Sequence, residues 1–268
     1  MKTSFYFRII GFIFRFDFYK TEWNVFNKLL IKDICVFLAP FAMHKTATPY
    51  DCRIMFTLES SPKYMFINKK ETTYISLYKR INSNIIECYY KISIPQLQYM
   101  LVSILQNLLH KNNGFFLHAS SVLINDKAHM FMGSSGAGKS TIASFLKTKY
   151  PLLSDDIMIL KKEGLEYIVY QFPFPEKQND INKTPNKKFK IGGVYLLHKA
   201  QMCRLDKIQS LKEINQGFED AIFNDINQRY KRDLIRLIST HNNFYHLYFR
   251  NDKKTTLGLF TNGERIEN

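Results

Sequence analysis

The sequence predicts an α/β fold built around one glycine-rich loop and preceded by a smaller β-rich domain. Three observations carry that expectation. The run Gly133–Ser140 lies between an apolar strand-like segment and an amphipathic helix-like segment. Short aromatic and β-branched runs give way to alternating strand and helix patterns across about residues 95–115. Hydrophobic residues make up 46% of a 268-residue chain, enough for one large or two modest cores.

Residues 1 to about 94 read as short strands separated by turns: Phe5 to Ile10, Ile54 to Leu58, Tyr74 to Tyr78 and Ile85 to Ile92. Phe5 to Phe18, behind Lys2, has the aromatic richness of a targeting segment. Arg8, Arg15 and Asp17 interrupt it and it is too short to cross a bilayer, so it reads as a strand pair in a cytoplasmic protein. Pro95 opens a connecting helix over 95–114. In Gln96 to His110 the residues Leu97, Met100, Leu101, Ile104, Leu105 and Leu108 recur at helical spacing, and Asn113-Gly114 stops it.

The second domain, 115–268, begins with a strand from Phe116 to Ile124, a tight turn at Asn125-Asp126 and a strand from Ala128 to Met132. The glycine loop follows, then a helix from Lys139 to about Lys149 and a strand from Leu152 to Leu160. Tyr167 to Phe172 is a further strand. Pro173-Phe174-Pro175 to Lys190, rich in Lys and Asn, reads as a mobile loop. A strand from Val194 to Leu197, helices over about 207–223 and 225–240 and a last strand from Phe244 to Phe249 complete the chain.

Thirty-eight Lys and Arg against 23 Asp and Glu give a net charge of +15, which suits an anionic partner. The basic residues are scattered, as in a chain of AT-rich coding composition, so a nucleic-acid patch is the lesser expectation. Cys35, Cys52, Cys88 and Cys203 show no CxxC or Cys/His spacing that would hold zinc or an iron–sulfur centre.

Chemistry concentrates in Gly133-Ser134-Ser135-Gly136-Ala137-Gly138-Lys139-Ser140, which fits G-x-x-x-x-G-K-[ST]. Glycines let the backbone wrap a phosphate with its N–H groups inward, and the following helix adds the positive end of its dipole. Lysine reaches the outer phosphates and the serine hydroxyl ligates magnesium. ATP and Mg2+ are therefore the expected cofactors. Asn182-Lys183-Thr184-Pro185 lacks the aspartate of a guanine-recognition motif, which argues against a GTPase. In Ser154-Asp155-Asp156, adjacent carboxylates inside an apolar strand need a cation or donor to compensate them, and magnesium and an acceptor hydroxyl are natural partners. A strand-end turn is the plain alternative. His118, on an apolar strand, reads first as a satisfied core residue and only second as a catalytic one, and the other six histidines show no ligand spacing.

Taken together, His118-Ala119-Ser120, Gly133 to Thr141 and Ser154-Asp155-Asp156 resemble the bacterial HPr kinase/phosphorylases and their shorter HPr-kinase-like relatives, among them the kinases of lasso-peptide and other ribosomal peptide pathways. The resemblance covers about residues 115–260, including Pro173-Phe174-Pro175 and the apolar strand before Leu197. It implies a phosphoenolpyruvate carboxykinase-like P-loop kinase core that transfers phosphate to a Ser or Thr hydroxyl of a peptide or small protein. By the same resemblance Lys139, Ser140 and the rest of the loop to Thr141 hold ATP and magnesium, Asp155 and Asp156 divide metal binding and activation of the acceptor hydroxyl, and His118 lies beside the transferred phosphate. Asp156 is taken as the base and Asp155 as the metal partner, a choice the sequence does not distinguish from its reverse. The chain departs from the bifunctional enzymes after the acidic strand, where Lys and Asn replace their acidic, arginine-containing signature. Reverse phosphorylase activity, the HPr substrate and self-association stay open. Lys177, Lys183, Lys187, Lys188 and Lys190 are candidate contacts to an acidic acceptor. An ATP-binding accessory protein without transfer is the alternative reading.

Overall fold

In the computed structural model, the described residues are 2–19, 25–44, 49–57, 63–66, 73–76, 78–175, 181, 183–222, 235 and 237–261. The chain divides into two compact units, Met1–Leu108 and Leu109–Asn268. The boundary falls within a helix.

The first unit opens with a hairpin of β1 (Lys2–Ile9) and β2 (Phe12–Tyr19), paired from Lys2 with Tyr19 to Ile9 with Phe12. Ile10 and Gly11 form its two-residue turn, both with positive φ, as the twist of a tight hairpin demands. Phe14, Phe16, Phe18 and, on a later strand, Phe56 are fully buried, with Phe18 and Phe56 stacked at 4.5 Å. This aromatic core is what the Phe-rich start of the chain builds. Helix α1 (Val25–Phe37) follows, where the sequence was read only as strands. The reason is topological: β2 lies parallel to β4 (Cys52–Thr57), and parallel neighbours need a crossover, which α1 occupies together with the two-residue β3 (Ala42–Met43). Backbone strands β5 (Lys63–Phe66) and β6 (Thr73–Ser76) pair with each other. Strands β7 (Tyr78–Arg80) and β8 (Ile85–Tyr89) complete a six-stranded sheet in the order β3-β1-β2-β4-β8-β7.

Helix α2 (Ile94–Lys111) starts in a capping box. The Ser93 N–H donates to Gln96 Oε1 at 2.9 Å and the Gln96 N–H to Ser93 Oγ at 3.4 Å. Its buried stripe is Leu97, Met100, Leu101, Ile104, Leu105 and Leu108, continued by Leu109.

The second unit contains β9 (Gly114–His118), β10 (Ser120–Ile124), β11 (Lys127–Met132), α3 (Lys139–Leu146), β12 (Leu152–Ser154), β13 (Ile157–Glu163) and β14 (Glu166–Gln171). It continues through β15 (Phe189–Lys199), β16 (Arg204–Lys207), α4 (Leu211–Ala221), β17 (Phe244–Phe249) and α5 (Lys253–Thr261). The nine-stranded sheet runs β12-β10-β11-β15-β14-β13-β9, with β17 beside β15 and β16 beside β17. Helix α4 buries Ile214, Phe218 and Ala221 in one core, and α3 buries Ile142, Ala143 and Leu146 in another with Phe260 of α5. The protein is thus a mixed α/β fold with two large sheets and few helices.

Four sequence expectations change. The strands anticipated over Phe116 to Ile124 and Leu152 to Leu160 are each broken in two, at Ala119 and at Asp155-Asp156, because their halves pair with different neighbours. The described part of the Pro173 to Lys190 segment is anchored: the Thr184 N–H and hydroxyl both donate to Gln171 Oε1, at 2.9 and 2.8 Å, and Ile181 is buried. The helix expected from 207 begins only at Leu211, after its Ser210 cap. Most of the helix expected over 225–240 lies outside the described residues, as does Lys177. Helix α5 had no counterpart in the sequence reading.

Candidate functional site

Strand β11 is parallel to β15 and delivers the chain into the loop at Gly133. The Ala137 N–H closes on the Ser134 oxygen at 3.1 Å, and Gly136 and Gly138 adopt φ of 79° and 106°. Gly138 is doubly constrained, since a Cβ there would stand 2.4 Å from the Phe249 ring. It begins α3 with no side-chain cap, so the first-turn N–H groups of Lys139, Ser140 and Thr141 stay open to an anion. Ser134, Ser135, Gly136 and Ser140 are exposed, whereas Lys139 is only 8% exposed. Its Nζ donates to the Gly133 oxygen at 2.8 Å and the Ser134 oxygen at 3.1 Å. Burial lowers its pKa and the charge of Asp156 works against that shift.

The two strand breaks meet. The Ala119 N–H donates to the Asp156 oxygen at 3.1 Å, and His118 Nδ1 lies 3.1 Å from Asp156 Oδ1. Both side chains are about a third exposed, at 36% and 30%. Asp155 beside them is buried, 7% exposed. Ser154 shapes this turn: its hydroxyl donates to the Ile157 oxygen at 2.7 Å and accepts the Ile157 and Asp156 N–H groups at 3.1 and 3.3 Å. Ser120, one residue after Ala119, donates to the Lys139 oxygen at 3.0 Å from a fully buried position. The start of α3 and the His118–Asp156 pair therefore hang on one short stretch of backbone.

The sequence-expected residues of the loop, His118, Asp155 and Asp156 all lie in this neighbourhood. The lysines do not. Lys183 donates to the Phe172 oxygen, Lys188 and Lys190 pair with Glu163 and Glu166, and the Lys187 ammonium lies over the Phe189 ring. Ser120 and Ser154 are positioning residues that their own chemistry did not flag. Their neighbours in the linear motifs were the available signal. A second polar chain went unread: His198 Nε2 and His246 Nδ1 are 2.8 Å apart, and His246 Nε2 and Glu213 Oε2 are 2.8 Å apart.

The residues present fit a nucleotide's phosphates: an uncapped helix start, exposed loop residues and a fixed ammonium converge on one loop. Comparison with known families adds a boundary to that picture. The family model described as "SynChlorMet cassette protein ScmC" matches residues 87–245, more than half of the chain. The chain belongs to the ScmC family. The matched region of this ScmC-family chain includes His118, Ser120, Gly133 to Thr141 and Ser154 to Asp156. No curated protein sequence matches the chain. Among solved structures it is similar to the Hpr(Ser) kinase/phosphatase from Coxiella burnetii, at 14% identity and a TM-score of 0.31, over 57% of this chain and 97% of that one. That likeness is too loose to transfer an activity or a substrate. Among the described residues no helix is long and apolar enough to cross a membrane.

Proposed function

We propose that this ScmC-family protein is an ATP-dependent kinase that transfers the γ-phosphate to a Ser or Thr hydroxyl of a peptide or small protein, on a core akin to phosphoenolpyruvate carboxykinase. The observation that carries the reading is the His118–Asp156 pair at the meeting of two strand breaks, beside a loop whose lysine feels the charge of Asp156. A histidine–carboxylate pair about a third exposed, beside a lysine-bearing helix start, is the arrangement a general base and its orienting partner need.

Gly133 to Thr141 would hold ATP, with Lys139 on its outer phosphates. Ser140 and Asp155 would hold magnesium, which neutralises phosphate charge when bound. Asp156 accepts the proton of the acceptor hydroxyl at its carboxylate, and His118 orients that carboxylate from 3.1 Å. Asp155, 7% exposed, would offer its carboxylate oxygens to magnesium in a poorly solvated position. Catalysis by such a site is positioning and electrostatics.

The test is incubation of the purified protein with γ-labelled ATP, magnesium and candidate peptides or a lysate. Label on an acceptor with wild type, reduced about 10²- to 10⁴-fold in Asp156→Asn while ATP still binds, supports the assignment. Equal labelling by both proteins sinks the role of Asp156. ATP binding with no labelled acceptor favours the accessory-protein reading.

A further inference from the structure

The polar face of the first sheet takes no part in the site described above. Because side chains alternate along a strand, the buried phenylalanines of β1, β2 and β4 leave Lys2, Ser4, Arg15, Asp17, Tyr19 and Arg53 together on the opposite face. Asp17 sits at the centre with no exposed surface. It accepts hydrogen bonds from Ser4 Oγ at 2.6 Å, Arg15 Nε at 2.9 Å and Arg53 Nε at 2.5 Å, and Lys2 Nζ lies 2.8 Å away.

One buried carboxylate needs one cation, yet three surround this one. All three pair with Asp17, and together they leave the cluster with positive charge beyond what one carboxylate neutralises. The arginines are also oriented. Arg53 gives an Nη group to Tyr19 Oη at 2.8 Å. Arg15 spends Nε on Asp17 and lies 5.8 Å from the ring centroids of both Tyr6 and Tyr50. Among the described residues its two Nη groups have no protein acceptor, and its side chain is 26% exposed. A guanidinium held this way receives a carboxylate two-pronged with little further ordering.

We propose that this face is a docking site for an acidic peptide segment, its carboxylates received by Arg15, Arg53 and Lys2 and its apolar side chains resting on Tyr19 and Tyr50. Nucleic acid fits the shape poorly. A phosphate backbone needs basic side chains strung along its path, whereas these converge on one carboxylate.

The test uses the full chain without nucleotide, so its outcome is independent of phosphate transfer. Fluorescence anisotropy would compare a short labelled peptide alternating Glu with Leu, its Gln-for-Glu counterpart, and a single-stranded oligonucleotide of equal length. The Glu peptide should bind, and Arg15→Gln should weaken it about 10-fold or more. Arg15→Lys keeps a cation on Asp17 but removes the planar fork. It should weaken binding measurably while leaving the thermal midpoint unchanged, and it decides the matter if Arg15→Gln fails to fold. Equal affinity for the Glu and Gln peptides, tighter binding of the oligonucleotide, or unaltered affinity in the folded Arg15 variants overturns the proposal.

Discussion

At Lys139 an ammonium that is 8% exposed is held by the carbonyls of Gly133 and Ser134, the loop on which it acts. Replacing it by alanine removes two charge-assisted hydrogen bonds and the cation aimed at the phosphates. Lys139→Ala should cost roughly 10- to 100-fold in nucleotide affinity by titration calorimetry, with a native circular dichroism spectrum. Wild-type affinity would contradict the role proposed for it. Lys139 was legible in the sequence because glycine, lysine and serine stand in one short run. Ser120 was not, because a hydroxyl inside an apolar strand has no periodic signature. Its bond to the Lys139 oxygen exists only once β10 and α3 lie together.

Among the elements, the strand breaks matter most. Ser154 ties the turn between β12 and β13 through three hydrogen bonds. Ser154→Ala should destabilise the protein by about 1–3 kcal/mol, because it leaves buried backbone groups unsatisfied. It should also slow transfer more than it weakens nucleotide binding, since the turn carries Asp156 and not the loop. Steady-state kinetics with the acceptor would show kcat falling while the ATP KM holds; a pure stability loss with unaltered kcat would deny Ser154 its positioning role. The junction of β11 and α3 depends on Gly138, whose φ of 106° and proximity to Phe249 leave no room for a side chain. Gly138→Ala should cost about 1–3 kcal/mol in thermal or denaturant unfolding, and Phe249→Leu should recover part of it. No recovery would mean that backbone strain, and not the ring, sets the cost. Helix α1 was missed at this scale because Val25 to Phe37 carries β-branched and aromatic residues of poor helix propensity. The parallel pairing of β2 with β4, which calls for the crossover, is not a local property.

At the scale of the whole molecule, the first unit contains a strongly perturbed buried acid. Burial would push the Asp17 carboxyl up, but hydrogen bonds from Lys2, Ser4, Arg15 and Arg53 outweigh it and hold the pKa at about 2. A folded pKa below the unfolded value near 3.9 stabilises the protein above about pH 4, and that contribution fades as the pH falls toward 2. It amounts to about 2 kcal/mol. Denaturant unfolding followed between pH 5 and 2 should show this loss of stability, and Asp17→Asn should flatten it; an equally steep decline in the variant would place its origin elsewhere.

The sequence by itself determined the glycine loop, the helix that follows it, the Asn125-Asp126 turn and the apolar stripe of α2. Each depends on residues within a few positions of one another, so backbone conformation and side-chain period suffice. The tertiary structure alone decided that β9 and β13 would meet. His118 and Asp156 come to 3.1 Å only because both strands break where their halves change partners, a consequence of sheet closure that no local pattern encodes. The same holds for the cations around Asp17, drawn from three strands whose register is set by the aromatic core beneath them.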